Sequence, residues 1–318
     1  MANRSRLIEG CNMRWWFRCR LWVWWGGIVV AVVVLLALVC TALTHTYTNY
    51  LLRSLEGPLP ADDPELLTYI REELLQPPSS EPYDLLEKRN VAQILVEESE
   101  VFYNKSLRTL FKDKSDGFFV EAGALDGETM SNTLWLEREL GWTGLLVEAD
   151  RTAYLSLITK HRRAWAANVC LAPTPYPSKE MFYIYPHYPG PLALSLGFKM
   201  RSMHGLTKYN EKATSSSWFT KVQCIPLESI LLSLGVTRVD LLVLDVEGAE
   251  LAILGHFDLQ KFNVQVLCIE WKKKHEIDSV VQQFKKRGYV EAARLDEDII
   301  LVQHGSQYEG RLNTSTHS

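Results

Sequence analysis

Glycines and acidic residues follow three apolar segments of the chain, and these residue types can bind a ligand or move a proton. GFFVEAGALDG (117–127) ends in a glycine-rich turn, TGLLVE (143–148) ends in Glu148, and VDLLVLDVEGAE (239–250) ends in three carboxylates. Glycines let the backbone approach a ligand closely, and the start of a helix offers free N–H groups. A carboxylate can hold ribose hydroxyls or accept a proton from a reacting hydroxyl group.

Each motif alone has a simpler interpretation. The turn at 121–127 lacks the GxGxxG nucleotide fingerprint and is compatible with a tight structural turn. Glu148 is compatible with a solvated carboxylate, and Glu250 with an acidic residue in the first turn of a helix. Together the motifs favour a ligand site, because doubly wound folds bind ligands at the carboxyl ends of their strands.

Alternating strand and helix patterns predict the elements that carry these motifs, and hence an α/β fold with a doubly wound sheet. The predicted strands are 117–122, 143–148, 164–171, 239–246, 264–270, 288–295 and 299–302, and the predicted helices are 131–140, 152–161 and 276–287. Residues 173–220 do not follow the alternation and predict an inserted lobe or lid. His187 and His204 from this lobe are weaker candidates for a general base.

The motifs GFFVEAGALDGETMSNTLWLERELGWTGLLVEAD and VDLLVLDVEGAELAILGHFD resemble the FkbM methyltransferase family over about Gly117–Gln303. With the segments at 168–177 and 222–235 and an N-terminal anchor, the chain is similar to the Star-like branch in arthropods. The resemblance implies a Rossmann-like class I methyltransferase fold, S-adenosylmethionine as cofactor, and methyl transfer to an acceptor oxygen.

The same resemblance assigns roles to individual residues. It gives the methionine end of the cofactor to the turn after the first strand, the ribose hydroxyls to Glu148, and an adenine contact to Asn168. Asp245 and Glu247 are the predicted catalytic carboxylates, facing the sulfonium and the acceptor. The complete predicted cofactor set is Glu121, Gly123, Ala124, Asp126, Gly127, Glu148, Asn168 and Asp245.

Leu21–Leu43 contains no charge and is long enough to span a bilayer as a helix. Arg4, Arg6, Arg14, Arg18 and Arg20 precede it, whereas only Arg53 follows closely. The positive-inside rule therefore predicts a type II signal anchor with the rest of the chain in the lumen. The alternative is a cleaved signal peptide with a cleavage site near Cys40-Thr41-Ala42, although a secretory apolar region is usually shorter.

These observations predict five regions. They are a cytosolic tail (1–20), a transmembrane anchor (21–43), a stalk or linker (44–95) with a short helix at Pro64–Leu75, a methyltransferase-like domain (96–305) and a flexible tail (306–318). The linker prediction depends on the prolines and acidic residues of that segment.

A luminal location changes how the cysteines are interpreted. Cys170 and Cys224 are the candidate disulfide pair, and the alternative is that both, with Cys268, are free thiols in the core. Asn104 and Asn313 begin glycosylation sequons. The cysteines and histidines lack zinc-site spacing, so the sequence predicts no metal site.

The formal net charge of −4 argues against a nucleic acid partner. Two functions remain open. One is an O-methyltransferase of the secretory pathway acting on an unknown acceptor. The other is a non-catalytic Star-like cargo or adaptor protein that moves membrane-bound growth-factor precursors between the endoplasmic reticulum, Golgi and endosomes. The chain gives no indication of its oligomeric state.

Overall fold

The computed structural model describes residues 24–43, 59–85, 98–187, 201–209 and 218–312. The chain divides into two units, Met1–Ser54 and Leu55–Ser318. In the first unit, Trp24–Leu43 forms a 20-residue helix (α1) whose mean hydropathy is 2.8 and whose side chains are exposed. By length and composition this helix can cross a membrane.

The second unit contains the remaining elements. Its helices are α2 (Pro64–Tyr69, continued by a π-helical turn at Ile70–Leu74), α3 (Glu98–Phe111), α4 (Leu134–Leu140), α5 (Arg151–Ile158), α6 (Leu227–Ser233), α7 (Glu250–His256) and α8 (Ile277–Lys286). Its strands are β1 (Leu75–Gln76), β2 (Phe118–Ala122), β3 (Thr143–Val147), β4 (Trp165–Ala167), β5 (Cys170–Leu171), β6 (Ser178–His187), β7 (Arg201–Leu206), β8 (Trp218–Ile225), β9 (Leu241–Leu244), β10 (Val266–Glu270), β11 (Tyr289–Leu295) and β12 (Asp298–Gln303).

Eight strands form the main sheet in the order β1-β4-β3-β2-β9-β10-β12-β11. The five strands from β4 to β10 are parallel, and β12 is antiparallel to β10. The strand order reverses between β3 and β9 on either side of β2, which is the arrangement of a doubly wound sheet. The predicted α/β fold is therefore confirmed.

Two hydrophobic cores cover the two faces of this sheet, because successive side chains of a strand point to opposite faces. In β2, Val120 belongs to the core that also contains Leu231, Ile253 and Phe284 from helices α6, α7 and α8. Phe119 belongs to the other core, which is built with helices α3, α4 and α5. Each face is thus dry, and ligands can approach only from the strand ends.

The register of the parallel strands aligns their carboxyl ends. Ala122 of β2 pairs with Val147 of β3 and with Leu244 of β9; Val147 pairs with Ala167, and Leu244 with Ile269. The next residue of each strand therefore lies at the same edge of the sheet, and these residues are Asn168, Glu148, Gly123, Asp245 and Glu270. Asp298 joins them, because it pairs with Glu270. We call this row of six residues the strand-end row.

The predicted third strand, 164–171, is wrong as a single element. It breaks after Ala167, and β5 joins a second sheet with the order β5-β8-β6-β7. Asn168 causes the break, because its side-chain amide donates to the carbonyl oxygens of Glu148 (2.9 Å) and Ala149 (3.3 Å) and turns the chain. The predicted lobe is thus a small sheet formed by β6, β7 and β8 on β5.

A disulfide joins this small sheet to the main sheet. Cys170 of β5 and Cys224 of β8 are directly paired neighbours with Cα atoms 4.4 Å apart, and they form a disulfide bond. Cys268 is a buried free thiol in β10. Burial raises the pKa of this thiol, which favours its unreactive protonated form.

Two segments expected outside the domain pack against it. In the predicted linker, Leu66 and Ile70 are buried in the core and β1 pairs with β4. Asp63 caps α2 by accepting from the Glu65 and Leu66 amides. In the predicted flexible tail, Tyr308 is buried against Phe111. In the linker, apolar side chains that pack into the core outweigh the prolines and acidic residues on which that prediction depended.

The disulfide should make a large contribution to stability, since it closes a loop with a sequence separation of 54. Replacing Cys170 and Cys224 together by alanine should lower the free energy of unfolding by roughly 2–4 kcal/mol. Thermal unfolding with and without reductant measures this change. Reductant should lower the Tm of the wild-type chain and leave the double variant unchanged; equal Tm values for wild type in both conditions would contradict the expected contribution.

Candidate functional site

A shallow cleft opens at the carboxyl edge of the main sheet. It lies between the strand-end row and the small sheet. Its lining residues are Ala122, Gly123, Val147, Glu148, Ala149, Val169, Cys170, Leu171, Phe182, Gly205, Leu206, Asp245, Val246, Ala249 and Ile253. Most of the lining is apolar, and Glu148 and Asp245 supply its carboxylates.

Gly123 brings the first turn into contact with the end of β9. Its φ angle is +86°, and an added Cβ would lie 2.0 Å from the carbonyl oxygen of Asp245. A side chain at this position would force the turn away from β9. Glycine at this position therefore allows the turn to lie against the end of β9.

Glu148 is almost fully buried at the edge of the cleft, where its carboxylate organises two backbone segments. One oxygen accepts from the Leu125 amide at 2.8 Å, and the other accepts from the Asp150 amide at 2.7 Å. A carboxylate oxygen has two lone pairs and can accept more than one hydrogen bond. Glu148 thus combines a structural role with a position suited to binding hydroxyl groups.

Glu121 does not line the cleft. It lies one position before Ala122, so its side chain points to the opposite face of the sheet. There its carboxylate accepts from the Asn132 amide (2.8 Å), the Ser131 hydroxyl (3.0 Å) and the Thr133 hydroxyl (2.5 Å). Burial raises the pKa of Glu121, against the effect of the Arg162 charge and these bonds. In the structure Glu121 holds the loop that precedes α4.

Four further predicted cofactor residues lie outside the cleft lining. Ala124 is buried in the second core, and its carbonyl accepts from the Gly127 amide at 2.8 Å. Asp126 accepts from the Glu128 and Thr129 amides within its own turn. The Gly127 carbonyl accepts from Arg162. Asn168 bonds the backbone as described above. These residues shape the loops that surround the cleft.

Asp245 and Glu247 come together with a third carboxylate, Glu270, that the sequence analysis did not select. The side chain of Asp245 is exposed to the cleft. Desolvation by the surrounding protein, a hydrogen bond with Glu270, and the charges of Glu270 and Glu247 raise the pKa of Asp245 well above its usual range. Neighbouring carboxylates disfavour full ionisation of the pair, because like charges repel.

Asp298 and Lys272 complete this carboxylate cluster. Burial and the charge of Glu270 raise the pKa of Asp298 to about 7, although a hydrogen bond with Tyr103 opposes the shift. Lys272 contacts Glu270 directly, and its Nζ lies 3.7 Å from Glu247 Oε2. Burial disfavours the charged form of Lys272. The negative charges of Glu270 and Glu247 outweigh this effect and raise the pKa of Lys272. Among the described residues, no group of three or more His, Cys, Asp or Glu is arranged to hold a metal ion.

Glu250, the last carboxylate of the third motif, has a structural role. It is fully buried, and its Oε1 accepts from the amides of Val246 (3.0 Å) and Gly248 (3.1 Å). Burial raises the pKa of Glu250 to about 7. Glu250 thereby fixes the turn that presents Glu247, whose φ angle is +59°.

Glu270, Asp298 and Tyr103 were not selected from the sequence. Glu270 ends a predicted strand, as Glu148 does, so the sequence carries a signal for it. Asp298 reaches the row through antiparallel pairing with Glu270, and Tyr103 reaches it from α3, a helix that was not predicted. Only the tertiary structure brings Asp298 and Tyr103 to this edge of the sheet. The side chains of His187 and His204 lie outside the described part of the structure, as does all of Asn313.

Comparison with known proteins identifies the family. The profile of the methyltransferase FkbM domain matches residues 121–291, more than half of the chain. The chain belongs to the FkbM methyltransferase family. It contains an S-adenosylmethionine-dependent methyltransferase domain. The FkbM match includes the first turn, Glu148 and the Asp245–Glu250 segment. Comparison with curated protein sequences gives no match.

Solved methyltransferase structures are similar to the FkbM chain at low identity. A human methyltransferase 10 domain containing protein is 12% identical, with a TM-score of 0.36 and coverage of 77% of this chain and 99% of its own. A METTL16 methyltransferase domain is 13% identical, with a TM-score of 0.37 and coverage of 79% and 83%.

The cleft of this FkbM domain fits S-adenosylmethionine in chemical character. The cofactor has an aromatic ring, two ribose hydroxyls and a positively charged sulfonium. The wall formed by Val169, Leu171, Phe182 and Leu206 suits the ring. Glu148 suits hydroxyl groups, and Asp245 with its neighbouring carboxylates suits a positive charge.

The raised pKa of Asp298 makes stability depend on pH. Its native pKa exceeds its unfolded value, so its stabilising contribution is complete below about pH 4 and is lost as the pH rises through about 7. Asp298→Asn removes this titration. The Tm of this variant relative to wild type should therefore increase between about pH 4 and about pH 8.

Thermal unfolding across this range measures the effect. Asp278→Asn, at an exposed position on α8, is the control and should follow the wild-type pH profile. A Tm difference between Asp298→Asn and wild type that is constant with pH would show that Asp298 does not titrate in this range.

Proposed function

We propose that this chain is a membrane-anchored O-methyltransferase whose domain lies on the luminal side of a secretory membrane. The observation that carries the proposed reaction is that one cleft contains both Glu148 and Asp245. Glu148 lies beside the first turn, and Asp245 opens onto the carboxylate cluster. A cofactor and an acceptor held at this edge would meet between them.

In this proposal S-adenosylmethionine supplies the methyl group. Glu148 holds the ribose hydroxyls, Gly123 provides close backbone approach, and the apolar wall holds the adenine. The enzyme's main contribution is to align an acceptor hydroxyl with the donor. The small sheet excludes water from the cleft, because Phe182 and Leu206 form part of its lining.

The carboxylates accept the acceptor's proton. A general base works best when its pKa lies near the working pH. Desolvation and the neighbouring carboxylates raise the pKa of Asp245 above its usual range, which makes it a stronger base. Glu247, paired with Lys272, orients the acceptor hydroxyl. These roles of Asp245 and Glu247 are those expected from the sequence.

The luminal location is supported by two independent features. The arginines before α1 favour a cytosolic N-terminus, and α1 is long and apolar enough to span a bilayer. The Cys170–Cys224 disulfide suits the oxidising lumen of the endoplasmic reticulum or a later compartment. Asn104 is exposed on α3, where a glycan would have space.

The second candidate is a Star-like adaptor that carries membrane-protein cargo through the endoplasmic reticulum, Golgi and endosomes. The observation that favours it is that Glu148 and Asn168, two predicted cofactor contacts, already bond backbone groups. A scaffold that retained the fold without turnover would keep such bonds. Cofactor binding distinguishes the two candidates.

Gly123→Ala tests the proposed binding site. The added Cβ conflicts with the Asp245 carbonyl, so the turn must move and the cleft must change shape. S-adenosylhomocysteine should raise the Tm of the wild-type chain, because a ligand that binds only the native state stabilises it. This rise should be absent in Gly123→Ala.

Gly235→Ala is the matched control. Gly235 has a similar positive φ (+69°), but no atom lies within 4 Å of an added Cβ. This variant should lose roughly 1–2 kcal/mol of stability from backbone strain and retain the ligand-induced Tm rise. If wild type shows no rise at millimolar ligand, the adaptor is the better description.

The proposed topology predicts protection from protease. In sealed microsomes, protease added outside should remove the N-terminal tail and leave the domain intact, and Asn104→Gln should remove a glycan from the wild-type protein. Detergent should abolish the protection, which controls for intrinsic resistance. Digestion of the domain in intact vesicles would contradict a luminal location.

A further inference from the structure

Lys272 lies where three segments of the chain meet at the carboxyl edge of the main sheet. It contacts Glu270 at the end of β10. Its Nζ lies 3.7 Å from Glu247 Oε2, in the turn after β9, and 3.8 Å from Glu297 Oε2, in the turn between β11 and β12. The Lys272 side chain is 22% exposed. Removing an ammonium group from water costs free energy unless carboxylates pair with it, as these three do.

The partners of Lys272 are also the neighbours of Asp245, the carboxylate that lines the cleft. Glu270 lies beside Asp245 in the strand-end row and forms a hydrogen bond with it, and Glu247 follows Asp245 by two residues. A charge acts over several ångströms where solvent screening is incomplete. Lys272 can therefore influence a ligand in the cleft through Asp245, without itself lining the cleft.

The charge of Lys272 opposes the mutual repulsion of these carboxylates. Burial, Glu270 and Glu247 raise the pKa of Asp245, and Lys272 lowers it. Burial and Glu270 raise the pKa of Asp298, and Lys272 again acts in the opposite direction. The other titratable groups that act on this cluster from the surrounding elements are Tyr103 of α3, Tyr183 of β6, Glu250 of α7, Cys268 of β10 and Glu297.

We propose that Lys272 is a positioning residue that keeps the carboxylates around Asp245 ionised, so that the cleft prefers the positively charged cofactor to its neutral product. This inference rests on the proposed function, since it places the sulfonium beside Asp245. In the transfer, the acceptor oxygen bonds the methyl carbon, the bond from that carbon to sulfur breaks with its electron pair on sulfur, and the acceptor's proton passes to a carboxylate. The cofactor thereby loses the charge that the cluster attracts, which favours release of the product.

The ratio of two dissociation constants, measured across pH, tests this role. S-adenosylmethionine carries the sulfonium charge and S-adenosylhomocysteine does not, so the ratio reports the charge of the cleft. Isothermal titration calorimetry of the full chain in detergent gives both constants between about pH 6 and about pH 9. In wild type, the preference for S-adenosylmethionine should increase with pH as the carboxylates ionise. The free nucleosides ionise identically in every titration, so a difference between variants reports on the protein.

Substitutions at two positions should move this increase in opposite directions. Lys272→Met should move it to higher pH by about one unit, because the carboxylates lose the neighbouring positive charge. Lys272→Arg should restore the wild-type profile. Glu297→Gln should move the increase to lower pH, because it removes a negative charge from beside Lys272. Glu297 is a partly exposed turn residue, so this variant tests the proposal even if Lys272→Met does not fold.

Lys273→Met is the matched control. Lys273 is the next residue along the chain, its side chain is 61% exposed, and its Nζ lies 3.8 Å from Glu276 Oε1, outside the cluster. Its replacement removes the same charge. The pH profile of the ratio should nevertheless stay that of wild type, because solvent and salt screen an exposed charge.

Each other outcome overturns the assignment. Unchanged profiles in Lys272→Met and Glu297→Gln would show that Lys272 does not control the ionisation of the cluster. An equal shift in Lys273→Met would show that the total charge, and not the position of Lys272, determines the ratio. A wild-type ratio that is constant with pH would place the sulfonium away from these carboxylates. Failure of the wild-type chain to bind either nucleoside would instead overturn the proposed function itself, and the role of Lys272 with it.

Discussion

The alignment of the parallel strand ends is the constraint on which the site depends. Backbone pairing fixes Ala122, Val147, Ala167, Leu244 and Ile269 side by side, so the next residue of each strand must emerge at one edge. Residues far apart in sequence thereby become neighbours. A shift of one residue in any strand would move its edge side chain to the opposite face of the sheet and into a hydrophobic core.

This arrangement concentrates carboxyl groups at one edge of the sheet. Asp245, Glu270 and Asp298 lie close together, and Lys272 forms a salt bridge with Glu270. Burial and neighbouring negative charges raise the pKa values of Asp245 and Asp298. Such a cluster lowers the free energy of unfolding. It also provides groups at the carboxyl edge of the sheet that accept protons near neutral pH.

The sequence predicted the parts of this architecture that depend on local pattern. Apolar segments that end in Gly123, Glu148 and Asp245 located three strand ends, and the two cysteines located the bridge between the sheets. The sequence did not predict to which face of the sheet a side chain near a strand end points. Glu121 differs from Gly123 by two positions, yet its carboxylate turns to the loop before α4. Asp298 reaches the site through pairing between distant strands, for which the local sequence carries no signal.

The central claim is that the cleft at the strand-end row binds S-adenosylmethionine. Ultraviolet crosslinking of the radiolabelled cofactor to the full chain, followed by peptide mapping, tests this claim most directly. The account predicts label in peptides that line the cleft, around Ala122–Gly123, Val147–Ala149 or Asp245–Val246, and loss of label with excess S-adenosylhomocysteine. Label confined to peptides remote from this edge, or insensitive to the competitor, would contradict it.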